Sequence, residues 1–80
     1  MTNLEKYNNC FKEVFKIEAD QLTDDLKYQS IETWDSVGHM MLMSMLETEF
    51  DIMLETDDIL VFESYPKGKQ ILAEKYGVAF

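Results

Sequence analysis

The sequence has one cysteine, Cys10, and one histidine, His39. A lone cysteine can form no intramolecular disulfide and cannot build a cysteine-based zinc site. His39 has no second histidine beside it. The acidic pairs Asp24-Asp25 and Asp57-Asp58 lack the spaced oxygen ligands and central glycine of an EF-hand loop. Long apolar runs are missing too. The longest, Met40 to Met43 and Ile59 to Phe62, fall far short of a membrane span. Met1 to Lys6 lacks a basic start followed by an apolar stretch, so no secretory leader is expected. These absences predict a soluble, cytoplasmic protein with no specific metal site and no membrane insertion.

Basic residues are scarce as well: 7 against 16 acidic ones, for a formal net charge of −9. Nucleic acid is a poor partner for such a surface, because binding would gather negative charge instead of releasing counterions. The acidity serves either solubility alone or attraction to a basic protein patch, with encounter weakened by salt. Eighty residues give one domain. That is too little chain for both a deep substrate pocket and a full catalytic apparatus, which favours a carrier, adaptor or binding module over an enzyme.

Strand-like alternation is absent, whereas helical spacing recurs. Leu4, Tyr7, Phe11, Val14 and Phe15 fall on one face of a first helix, from about Asn3 to Phe15 or Lys16, capped by Thr2 or Asn3. Cys10 lies on or beside that stripe and reads as a buried, inert thiol. From Glu18 to Asp35 the pattern weakens into a long loop, anchored at intervals by Leu22, Leu26, Tyr28, Ile31 and Trp34. Asp35 then caps the strongest helix, with Met40, Met43, Leu46 and Phe50 as its stripe and Leu42 and Met45 beside it; Gly38 is a weak spot. Thr56, Asp57 and Asp58 form a cap and acidic first turn for a short third helix. Ser64 caps a fourth, which tolerates Pro66 in its first turn and ends at Gly77. The predicted class is all-α: a small four-helix bundle, three main helices and a short third one, with a long loop between the first two.

Ser36 is the residue with chemical promise. Ser36 and His39 share a helical face, yet a hydrolase also needs an oriented third group and an oxyanion hole. Asp35, as an N-cap, points at amide hydrogens instead. A serine at a helix start, after a long loop, lies where unpaired amides and the helix dipole favour an anion. A phosphate joined to its hydroxyl would be stabilised there.

The segment Trp34-Asp35-Ser36-Val37-Gly38-His39-Met40 resembles the phosphopantetheine attachment motif of the acyl and peptidyl carrier proteins, in which Asp-Ser-Leu or a variant opens the second helix. Leu46-Glu47-Thr48-Glu49-Phe50-Asp51-Ile52 is similar to the family's end of that helix. Asp58-Ile59 then matches the short third helix, and Gly68 to Leu72 the fourth. The likeness covers nearly the whole chain in order. It implies that Ser36 receives 4′-phosphopantetheine from coenzyme A through a phosphopantetheinyl transferase, with Asp35 as the helix cap beside it. The arm's thiol would hold an acyl, polyketide or aminoacyl group as a thioester. An acyl- or aminoacyl-loading enzyme and a downstream synthase or transferase would be the partners of a monomeric carrier that catalyses nothing itself.

Typical fatty-acid carriers have Asp-Ser-Leu-Asp and an acidic residue five positions after the serine. This chain has Val37 and Gly38 after the serine and Met41 at that fifth position. The form looks more like stand-alone carriers of specialised pathways. Of Met40, Met41, Met43 and Met45, at least one should be exposed, since all four cannot face one core. The expected partner contacts are Val37, Met41 and Glu47, with Ile59 and Phe62 lining the arm's resting groove. The rival reading is an unmodified acidic helical adaptor that docks a basic protein through the second helix.

Overall fold

The computed structural model describes residues 1–80 and contains four α-helices, one 3-10 turn and no sheet. The helices are α1 (Asn3–Phe15), α2 (Ser36–Phe50), α3 (Thr56–Val61) and α4 (Tyr65–Tyr76). Capping chemistry explains most boundaries. Thr2 and Glu5 form a reciprocal capping box at the start of α1. Asp35 accepts from the Gly38 amide, and Ser64 accepts from the Lys67 amide with Pro66 in the first turn. Gly77 stops α4 in the left-handed region at φ 69°, where a side chain would be strained. The third helix departs from expectation. Its N-cap is Glu55, with no side-chain cap bond, and Asp58 turns inward instead of decorating the first turn.

One core joins all four helices and the long connection. Its centre is aromatic: Tyr7, Phe11, Phe15, Trp34 and Phe62 are each at most 1% exposed. Phe15 and Trp34 stack at 5.0 Å, and Phe11 meets Trp34 edge-on at 5.6 Å. Large rings suit a short chain, since each removes much apolar surface from water. Leu26 and Trp34 anchor the connection as expected, while Leu22, Tyr28 and Ile31 pack partly against the core. Ala19–Gln21 forms the 3-10 turn, and Lys27 pairs with Ser64 as an isolated antiparallel bridge. Cys10 is buried, which pushes its thiol up to about 12, so it carries no thiolate at neutral pH. Leu4, placed in the α1 stripe by its spacing, lies at the margin and is exposed.

The phase of α2 also differs. Gly38, Leu42, Met43 and Leu46 are buried, but Met40, expected in the stripe, is 51% exposed. The helix is apolar on nearly every side, so spacing alone does not fix its rotation. Gly38 does. A Cβ there would overlap the Thr33 carbonyl oxygen and press on Phe15, so the glycine is required for close approach and is no weak spot.

Candidate functional site

Ser36 is the first residue of α2 and is exposed. The Asp35 carboxylate accepts the Gly38 N–H at 2.8 Å, and its carbonyl accepts the His39 N–H at 2.8 Å. The Ser36 and Val37 amides lie ahead of these bonds and have no acceptor in the fold. An anionic group on the Ser36 hydroxyl therefore meets two free amides and the positive end of a 15-residue helix.

Two depressions meet at Ser36. A groove of about 380 Å³ between α2 and α3 is bordered by Tyr28, His39, Met40, Ile59 and Phe62. A more open hollow of about 750 Å³ on the other side is bordered by Val14, Val37, Met41 and Met45. Both walls are largely apolar, so Ser36 stands on a ridge between two surfaces that suit an uncharged, flexible group.

His39 forms the floor between loop and helices. Trp34 Nε1–H donates to His39 Nδ1 at 3.0 Å, which assigns the ring proton to Nε2, and this donates to the Ile59 carbonyl at 2.9 Å. Both ring nitrogens are engaged, and His39 offers Ser36 no proton acceptor. What the histidine does is tie α3 to α2 beneath the groove.

The structure separates the residues expected to meet partners. Val37 and Met41 project outward, 68% and 54% exposed. Ile59 is half-buried on the groove wall. Glu47 is half-buried, and its carboxylate accepts the Leu54 N–H at 2.9 Å and so holds the turn after α2. Phe62, expected to line the groove, borders it as part of its base: it is 1% exposed and packs on Phe11 and His39.

Spacing gave no sign of two further features. Tyr28 Oη lies 3.1 Å from Ser36 Oγ, although Tyr28 reads in the sequence as only a loop anchor. Asp58 accepts from Lys75 Nζ at 2.8 Å and from Tyr76 Oη at 2.6 Å, and Tyr76 Oη accepts the Glu55 N–H at 2.8 Å. The group pins α3 to α4 and so holds the outer wall of the groove. Comparison of the chain with models of protein families, with curated proteins and with solved structures finds no match.

Proposed function

We propose that this chain is a carrier protein whose Ser36 is esterified with 4′-phosphopantetheine and whose arm presents an acyl, polyketide or aminoacyl thioester to partner enzymes. The observation that carries this reading is the exposed Ser36 hydroxyl on the first residue of α2, beside two free amides and at the mouth of the α2–α3 groove. In the modification, Ser36 Oγ bonds to the pantetheine phosphorus of coenzyme A. The bond to the 3′,5′-ADP portion breaks, and the serine proton passes to a base of the transferase, because His39 is engaged elsewhere. The four helices are then a carrier-type bundle, with the short α3 as one wall of the groove.

In this reading the carrier is a cytoplasmic monomer that performs no catalysis. Its tether raises the effective concentration of the cargo at the transferase, the loading enzyme and the downstream synthase in turn. Val37 and Met41 give those enzymes an apolar contact, and the acidic surface steers them to it. The unmodified adaptor uses the same α2 face but gives no role to a serine on the ridge between two apolar hollows.

Incubation with coenzyme A and a broad-specificity phosphopantetheinyl transferase is expected to raise the intact mass by one phosphopantetheine group. The Ser36→Ala protein is expected to stay unchanged. A mass increase that survives Ser36→Ala would move the attachment site elsewhere.

A further inference from the structure

Tyr28 reaches Ser36 from the long connection, and its position is fixed by several independent bonds. Tyr65 N–H donates to the Leu26 carbonyl at 2.8 Å, and Tyr28 N–H donates to the Glu63 carbonyl at 2.8 Å. Residues 26–28 therefore run as a short rung along the α3–α4 junction. Gln29 then turns the chain in the left-handed region, φ 65°, with its N–H donating to the Trp34 carbonyl at 2.9 Å. The Tyr28 ring meets His39 edge-on at 5.6 Å, and His39 is itself held through both nitrogens. The phenol is thus anchored by backbone and ring before any contact with the serine is counted.

The 3.1 Å contact between the two hydroxyls can run in either sense while Ser36 is free. Esterification removes the serine proton, after which only Tyr28 can donate. Its acceptor becomes the ester oxygen or an anionic oxygen of the phosphate, and a bond to an anion is the stronger kind. Tyr28 borders the α2–α3 groove and does not border the Val37–Met41 hollow. A bond from this side draws the phosphate, and the first atoms of the arm, towards the groove.

We propose that Tyr28 is a positioning residue for the attached group: its hydroxyl donates to the phosphate on Ser36 and directs the arm into the α2–α3 groove instead of across the Val37–Met41 face. This rests on the carrier reading above.

The test compares wild type with Tyr28→Phe, which keeps the ring on His39 and removes only the hydroxyl. Both are incubated with coenzyme A and a broad-specificity transferase, and modification is confirmed by intact mass. The phosphorus-31 resonance is then recorded, with NOEs from the pantetheine methyl groups to side-chain methyls. Wild type is expected to show contacts to Ile59 and Leu60. In Tyr28→Phe these should weaken several-fold, contacts to Val37 and Met41 should grow, and the phosphorus resonance should shift. Superimposable phosphorus and NOE spectra of two fully modified proteins would overturn the role of Tyr28 and leave the carrier reading standing. Failure of both proteins to accept the group would overturn the carrier reading, and this inference with it.

Discussion

Asp58 is only 4% exposed, and its carboxylate accepts hydrogen bonds from two α4 side chains. The hydrogen bond from Lys75, then that from Tyr76, holds its carboxyl below the ordinary value of 3.8. The Lys75 ammonium is raised above its ordinary 10.5 mainly by the same bond. A depressed carboxyl stabilises the fold above its unfolded value and loses that contribution as pH falls through the folded one. A raised ammonium stabilises below 10.5 and loses that contribution as pH rises through its folded value. Asp58→Asn is therefore expected to melt below wild type at neutral pH, with the two melting curves converging below about pH 4. Circular dichroism melts against pH check this, and a constant gap across the acid range would contradict it. Neither Asp58 nor Tyr28 was legible as a site residue. Their partners stand 17, 18 and 8 positions away in sequence, across turns whose geometry no spacing rule supplies. Ser36 and Asp35 were legible because a cap and the residue after it are local features.

Among the elements, α2 carries the site and also the largest departure from expectation. Its ends were readable: Asp35 caps it, and the left-handed Asp51 closes it after Phe50. Its rotation was not, since a helix apolar on most faces has no single stripe, and the close approach of Gly38 to the loop sets the phase. The consequence separates neighbouring methionines. Met43 is 1% exposed and Met41 is 54% exposed. Met43→Ala is expected to cost about 2–5 kcal/mol of stability through the cavity it leaves, while Met41→Ala should stay within about 0.5 kcal/mol. Urea unfolding of the two variants measures the contrast. Equal losses would mean that Met41 belongs to the core and cannot serve as a partner contact. The helices α1 and α4 followed their sequence signals closely, because Thr2, Glu5, Ser64 and Gly77 act within one turn of themselves. The short α3 did not, since tertiary bonds through Asp58 and Ile59, not a side-chain cap, hold it in place.

Across the whole molecule, a net charge of −9 is spread over a body with a Cα radius of gyration of 11.3 Å. That radius is close to the Debye length of about 10 Å at 0.1 M salt, so charges repel through most of the protein at low salt and far less at moderate salt. The melting temperature is expected to rise with added sodium chloride, and more steeply with magnesium at equal concentration; a flat or falling series would show that repulsion is unimportant. No helix is long and apolar enough to cross a membrane. A basic partner patch would meet the same acidic surface, so salt is expected to weaken such an encounter for the same reason that it is expected to stabilise the fold. The claim on which everything functional rests is the attachment itself. Fragmentation mass spectrometry of the protein after incubation with coenzyme A and transferase tests it most directly. The account predicts one phosphopantetheine group per chain, carried by the fragment containing Ser36 and lost from the Ser36→Ala protein. An unchanged mass, or a group found on any other residue, would contradict it.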